Sequence, residues 1–405
     1  MSPQEIHIND YDYILPQERI PHQPLPERSS AALLVYEKGI IRNQVFRELP
    51  ALLEAGDTLF VNDTRVIPAR MIFHRVTGAR IEVFCLEPWK SDYQQVMESS
   101  GPVRWLCMVG GARKWKDNCL SMELPATNDR PAAQLRAFRE EDMGDGQFLV
   151  RFEWEGSDDS FAAVMERAGR IPLPPYFNRE VMEEDEVRYQ TVFARFAGSV
   201  AAPTAGLHFT PEVMDELNQK GVNIQRLTLH VGAGTFKPVA SEKLRDHPMH
   251  GEWFEVRREV VEALAAPTSG RRIPVGTTSM RTLESLYWLG VKAAQGILPH
   301  EPSLGQWEPY ELDGSLSLRE AMLALCDWMD KQGAPSIKAS TSLLIGPGYS
   351  FHICDALITN FHMPRSTLLV LVAALIGDDW KRVYAHALNH DYRFLSYGDS
   401  SLLLP

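Results

Sequence analysis

Apolar positions along this chain follow two rhythms. From about residue 199 to 400, short apolar runs end in polar turns and are followed by amphipathic or wholly apolar stretches. That succession predicts strand, turn and helix, repeated. The clearest unit is ALITNFHMPRSTLLVLVAALIG at 356–377. Its first three residues read as a buried strand, Pro364 suits the first turn of a helix, and 368–376 is apolar on every face. Residues 199–202 form a second strand, followed by the turn PTAGLHF and a helix with Thr210 as N-cap, Pro211 and Glu212 in its first turn and Gly221 at its end. A third strand, 224–231, ends in Gly232, Gly234 and Thr235, and 273–275 leads through 276–279 into a helix at 280–289. Roughly five to seven such units predict parallel strands with covering helices, and favour an α/β fold with a large irregular (β/α)-barrel-like domain. No GxGxxG follows a strand, which counts against a dinucleotide-binding sheet.

Between 71 and 169 the rhythm shortens. ARIEVFCLEP, VRWLCMVGG and GQFLVRFEW alternate apolar and polar residues, and clusters of Gly, Pro, Asn and Asp separate them. This predicts an inserted antiparallel β-barrel domain at 70–169, closed by a helix at 161–168 and bounded by RIPLPPYFNR. The large domain is then discontinuous, 1–69 and 170–405. Within it, 58–61 reads as a strand ending in Asn62, Asp63, Thr64 and Arg65. The proline-rich stretch 11–34 reads as an extended segment anchored by Tyr11, Tyr13, Ile14, Leu15 and Ile20. Residues 291–340 break the rhythm, and their helix at 317–331 is expected to be an accessory insertion packed outside the barrel.

Composition changes this picture little. The chain has 405 residues, and an apolar content of 44% supplies an ordinary core. Its longest apolar run, 368–376, falls far short of the roughly 20 residues that span a bilayer, and the first residues lack a signal peptide's basic and apolar regions. The expectation is a cytoplasmic protein with no membrane contact. Cys85, Cys107, Cys119, Cys326 and Cys354 are odd in number and scattered, so reduced, mostly structural thiols are expected.

Charge is more informative. Forty-one Lys and Arg against 53 Asp and Glu give −12, which excludes indiscriminate nucleic-acid binding. Yet Arg65, Arg70, Arg75 and Arg80 fall in a stretch without an acid, and Arg113, Lys114 and Lys116 follow. Surface solvation accounts for scattered arginines; a phosphate-facing lobe is the sharper reading.

Four turns at strand ends share small residues, hydroxyls and histidines. They carry Thr204, Gly206 and His208; His230, Gly232, Gly234 and Thr235; Thr277 and Thr278; and Asn360 and His362. Any strand-to-helix turn needs polar caps, so each alone says little. In a barrel all four converge on one mouth, where glycines admit a ligand to the backbone and free N–H groups at a helix N-terminus hold an anion. A pocket for a polar, nucleotide-sized ligand is therefore expected. His247, His250 and Glu252 offer a donor set that zinc or iron would take, but HxxH on a loop matches no zincin pattern, and a hydrogen-bonding or proton-transfer cluster is the better reading. Neither a GxSxG elbow nor a Walker loop occurs.

With these residues in view, the chain resembles the S-adenosylmethionine:tRNA ribosyltransferase-isomerase family of queuosine biosynthesis. The blocks YDYILPQERI, GDTLFVNDTRVIPAR, RIPLPPY, GSVAAPTAGLHFT, LTLHVGAGTFKPV, HPMHGEW, PVGTTSMRTLES, DALITNFHMPRSTLLVLVAA and YRFLSYGD stand in family order across residues 11 to 399. The resemblance implies a barrel-like domain with an inserted β-barrel. It also implies S-adenosylmethionine as ribosyl-donating co-substrate, with no metal. The acceptor is the aminomethyl-deazaguanine at the wobble position of a tRNA with a GUN anticodon, the product is epoxyqueuosine-tRNA, and adenine and methionine are released. The sulfonium acidifies the neighbouring ribose C–H, so a positioned base can start the reaction. His208, His230, His250, Glu252 and His362 are the candidates for proton transfer, with Asp63 and Asp399 after them. Thr204, Gly206, Gly232, Gly234, Thr235, Thr277, Thr278 and Asn360 are the candidates for holding the co-substrate, Arg70, Arg75, Arg80, Arg113, Lys114 and Lys116 those for RNA, and a monomer is expected. Two readings compete: a non-catalytic RNA-binding relative, and a barrel metallohydrolase built on His247, His250 and Glu252.

Overall fold

The structure, a computed structural model, describes residues 3–91, 93–232, 239 and 241–405. Two mixed sheets carry the larger part of the chain. The first has six strands in the order Arg272–Pro274, Thr58–Asn62, Asn223–Leu229, Glu252–Arg257, Ser336–Thr341, Ser303–Leu304. The second orders Leu357–Asn360, Ser400–Leu404, Ala32–Glu37, Ile40–Val45. A single parallel bridge, Val275 to Ile358, links them.

The expectation of all-parallel strands is only partly met. Thr58–Asn62 pairs in parallel with both its neighbours, but Glu252–Arg257 runs antiparallel to both Asn223–Leu229 and Ser336–Thr341. Two physical reasons account for this. Glu252–Arg257 and Ser336–Thr341 bury alternate residues, the signature of a sheet with one face on the core and one in water. The connection from Leu229 to Glu252 also shows, among its described residues, only the single turn Leu244–Asp246 and no crossover helix of the kind a parallel pair needs.

Capping signals act where they stand in the sequence. Thr210 caps Pro211–Lys220, its hydroxyl accepting from Val213 N at 3.4 Å, and Gly221 closes that helix at φ +81°. The apolar helix is Thr367–Ile376; Pro364 precedes it, Arg365 takes φ +52°, and Ser366 is the cap. The strand expected at 199–202 lies at Phe196–Ser199, parallel to Thr64–Val66.

The 317–331 helix forms as Leu318–Gln332 but does not lie outside. Ala321, Met322, Leu325 and Met329 make one apolar stripe, and burying it draws the helix into the same core as Met280, Leu283, Leu286 and Tyr287 of Thr277–Ala294. At the crossing a Cβ on Gly290 would stand 2.4 Å from Ala321 O, so the two backbones touch. Ser336–Thr341 then enters the large sheet, making 291–340 part of the framework.

The inserted segment forms a seven-stranded antiparallel sheet in the order Gly169–Arg170, Arg70–His74, Arg80–Pro88, Val103–Gly110, Gln147–Glu155, Ala133–Gly144, Leu120–Leu124. It curls around Phe73, Trp105, Phe152 and Phe161. The chain enters and leaves side by side, Arg70 opposite Arg170. Only glycine fits at 169, where a Cβ would lie 1.7 Å from Pro68 O. The N-terminal segment lies over Asp379–Asn389: Tyr11 stacks on Trp380 at 5.7 Å and Tyr13 meets Tyr384 at 5.2 Å. Ile20 is buried, but Ile14 is 86% exposed and anchors nothing.

Candidate active site

Three of the four turns meet. Thr204, Gly276, Thr277, Thr278, Asn360 and His362 line a cavity of about 150 Å3, together with Tyr176, Tyr189 and Ser396. Val231 reaches it from the remaining turn, and Gly232, half-buried, follows; Gly234 and Thr235 lie outside the described residues. The small side chains of Ala201, Ala202 and Ala205 form part of its wall, which is why there is room. Gly206 serves packing instead, because a Cβ there would come within 3.0 Å of Thr191 and 3.4 Å of Phe193, and its absence lets the turn settle against both.

Thr277–Ala294 points its N-terminus at the cavity. Its cap is Gly276 at φ +91°, which offers no side chain to the first N–H groups, and these are a natural seat for a carboxylate. Asn360 holds the opposite wall by donating to Leu395 O at 2.8 Å, while its buried Oδ1 faces the His208 ring, whose charged form it stabilises. An amide oxygen has two lone pairs, so a ligand donor can still meet it.

His362 is fixed from several sides. Its backbone N–H donates to Tyr384 Oη at 3.1 Å, its carbonyl accepts from Tyr13 Oη, and its Nε2 lies 3.0 Å from Thr359 Oγ1. Burial pushes its pKa down to about 3, so the ring is neutral. His208 lines an adjoining void of about 20 Å3, which shares Ser396 with the cavity and has room for little beyond a water. Burial lowers its pKa to about 4, against the opposing charge of Asp399 and the Asn360 side chain that the ring faces.

The other candidates stand apart. His230 faces the insert, stacked on Tyr93 at 5.1 Å and 3.2 Å from Thr64 Oγ1, with burial lowering its pKa to about 4. Asp63, raised by burial, accepts from Thr228 Oγ1 at 2.7 Å. Glu252 turns inward and pairs with buried Arg281, whereas His250 is exposed. His247 and His250 lie in the loop ahead of the strand Glu252–Arg257 and only Glu252 belongs to it, and among the described residues no three His, Cys, Asp or Glu are grouped to hold a metal. Asp399 is occupied as a clamp, accepting from Ala32 N at 3.0 Å, from Arg393 N at 2.7 Å and from the Arg393 guanidinium at 2.7 Å. Of the basic candidates, Arg70 and Arg80 both pair with Glu82 and Arg75 pairs with Asp117, while Arg113, Lys114 and Lys116 are exposed.

Sequence reasoning missed the tyrosines. Tyr176, from RIPLPPY, places its hydroxyl 2.5 Å from Ser396 Oγ, and Tyr189, from RYQTVFA, is fully buried against the cavity. Their signal was an aromatic in a boundary segment rich in proline or charge, which reads equally well as packing.

The three neutral histidines give a first expected result. His208, His230 and His362 are held well below the ordinary value of about 6.5, so the unfolded chain binds more protons and stability falls as pH drops through 6.5 toward 4. By pH 5 each should cost about 2 kcal/mol. Urea unfolding at pH 7.5 and 5 should show the loss, smaller in His230→Gln; equal stability at both would contradict the burial.

The family model described as queuosine biosynthesis protein matches residues 8–403. The chain belongs to that family. It is 40% identical to the S-adenosylmethionine:tRNA ribosyltransferase-isomerase of Ruegeria pomeroyi over 98% of this chain and 99% of that one. It is 38% identical to the proteins of the same name from Desulfitobacterium hafniense and Legionella pneumophila, again over 98% and 99%. A crystal structure of S-adenosylmethionine tRNA ribosyltransferase from Thermotoga maritima, 27% identical, covers 98% of this chain and 100% of its own, with a TM-score of 0.45. In this family member, no helix among the described residues is long and apolar enough to cross a membrane.

Proposed function

We propose that this chain is an S-adenosylmethionine:tRNA ribosyltransferase-isomerase. It moves the ribosyl group of S-adenosylmethionine onto the aminomethyl-deazaguanine at the wobble position of a GUN-anticodon tRNA, rearranges it to epoxyqueuosine, and releases adenine and methionine. The observation that carries this reading is the meeting of Thr204, Gly276 to Thr278, Asn360 and His362 around one cavity. The residues there suit the co-substrate. The N–H groups at the start of Thr277–Ala294 would hold its carboxylate, Asn360 Oδ1 would accept from a ribose hydroxyl or the adenine amino group, and the alanine wall leaves room for the sugar.

His362 is our choice of general base. If Thr359 Oγ1 accepts from Nε2–H, Nδ1 keeps the lone pair. The low pKa keeps the ring deprotonated, and the sulfonium supplies the acidity that a weak base needs. His208, behind Asn360, would orient the Asn360 side chain and through it the substrate. We place both mixed sheets in one irregular (β/α)-barrel-like wall, joined at Val275–Ile358, with the insert as a β-barrel whose Arg113, Lys114 and Lys116 touch tRNA. The enzyme acts as a cytoplasmic monomer.

The test is incubation of purified protein with S-adenosylmethionine and tRNA bearing the aminomethyl precursor. Adenine and methionine should appear in equal amounts and only with that tRNA. S-Adenosylmethionine consumed without adenine release, or adenine release independent of tRNA, contradicts the reading.

A further inference from the structure

Three neighbouring strands of the large sheet, Asn223–Leu229, Glu252–Arg257 and Ser336–Thr341, leave one face open, and its side chains are those that bind a polyanion. Thr228 stands opposite Glu255, and Glu255 opposite Lys338, so alternation places Arg226, Trp253, Arg257 and Lys338 on one side of three neighbouring strands. The other side, with Leu227, Phe254 and Ile337, belongs to the core. At the edge, the backbone N–H groups of Arg195 and Phe196 donate to Asp63 O, which brings both residues beside the face. Trp253 is 52% and Phe196 44% exposed, unusual for large aromatics without a partner.

Charge sharpens the point. Arg195, Arg226 and Arg257 surround Asp63, and none of the three forms an ion pair among the described residues, whereas most arginines of the insert do. Arg226 is held over the Phe193 ring and donates to Phe193 O at 3.2 Å. The carboxylates nearby are Asp63, buried and bonded to Thr228, and Glu255, which accepts from Ser336 and lies 4.0 Å from Lys338. Four cations against two carboxylates make a positive face on a chain of net charge −12. Interleaved aromatics and unpaired arginines on an open sheet suit an RNA strand, phosphates on guanidinium groups and bases stacked on rings.

We propose that this face, carried by Arg195, Arg226, Arg257 and Trp253, docks the tRNA substrate. The inference rests on the tRNA-modifying function proposed above and adds a contact surface on the large domain. Thr64, which pairs with Phe196, also neighbours His230 Nδ1, so the face adjoins the segment that continues to Val231 at the cavity.

The test compares wild-type protein with Arg195→Ala/Arg257→Ala and with Trp253→Ala, all exposed positions whose loss should leave the fold intact by circular dichroism. Binding of precursor tRNA is measured from 50 to 300 mM salt. The double variant should bind about ten-fold or more weakly, with the log–log salt slope reduced by roughly 1.5 to 2. Trp253→Ala should lose about ten-fold with the slope unchanged, because stacking releases no counterions. Wild-type tRNA binding with both variants unaltered would overturn the docking face and leave the proposed function standing. Absence of tRNA binding and adenine release in the wild type would overturn both. A concentration-dependent dimer abolished by Trp253→Ala would assign the face to a second copy and also overturn the proposal.

Discussion

His362→Gln should lower adenine release by roughly 100-fold or more at saturating S-adenosylmethionine and tRNA, with a much smaller change in co-substrate affinity. Glutamine keeps the size and a hydrogen bond to Thr359 Oγ1, now 3.0 Å from Nε2, but cannot take a proton at physiological pH. The effect belongs to turnover because the Tyr384 and Tyr13 bonds hold the backbone at 362 whatever the side chain. His208→Gln should act mainly on the Michaelis constant, since His208 borders the smaller void behind Asn360. A pH profile adds an independent sign. With a pKa near 3, the base stays deprotonated through pH 6, so the acid limb of kcat should lie well below 6.5. If His362→Gln turns over normally, proton transfer moves elsewhere, and Asp63, whose pKa burial raises, becomes the next residue to replace.

Gly276→Val should weaken S-adenosylmethionine binding by about ten-fold or more, the range expected when a ligand anion loses a helix N-terminus. The residue sits at φ +91°, where a β-branched side chain is strained, and its Cβ would stand 3.5 Å from Thr278 Oγ1 and 3.6 Å from Ala205 at the cavity wall. Strain alone should cost about 1–3 kcal/mol of stability. Calorimetric titration beside thermal unfolding separates the two effects. A folded variant with unchanged affinity would move the carboxylate away from this helix.

The turns were legible because their chemistry is local. Thr210 and Ser317 cap by reaching three residues along the chain, and the glycines of 276–279 and 204–208 announce close backbone approach. Strand direction was not legible in the same way. Nothing local to HPMHGEWFEVR states that Glu252–Arg257 lies beside Asn223–Leu229 in the opposite sense; only the in–out alternation hints at it. The 317–331 helix looked peripheral because its partner stripe on Thr277–Ala294 is distant in sequence, although Ala321, Met322, Leu325 and Met329 already demanded cover. Among the histidines, residue type could nominate but not rank. His250 and Glu252 are two residues apart, yet one is exposed in the loop and the other, at the start of the strand, is buried on Arg281. The arginines of the insert looked like a phosphate site because their acids, Glu82 and Asp117, lie across strands or loops.

The most direct measurement is a crystal structure of the protein with S-adenosylmethionine. The expected result places the carboxylate at the N–H groups of Thr277 and Thr278, a ligand donor on Asn360 Oδ1 and the ribose within reach of His362. Density for the co-substrate elsewhere, as in the groove of Arg70, Arg80 and Arg170, with the cavity between Thr204 and His362 left to solvent, would contradict it.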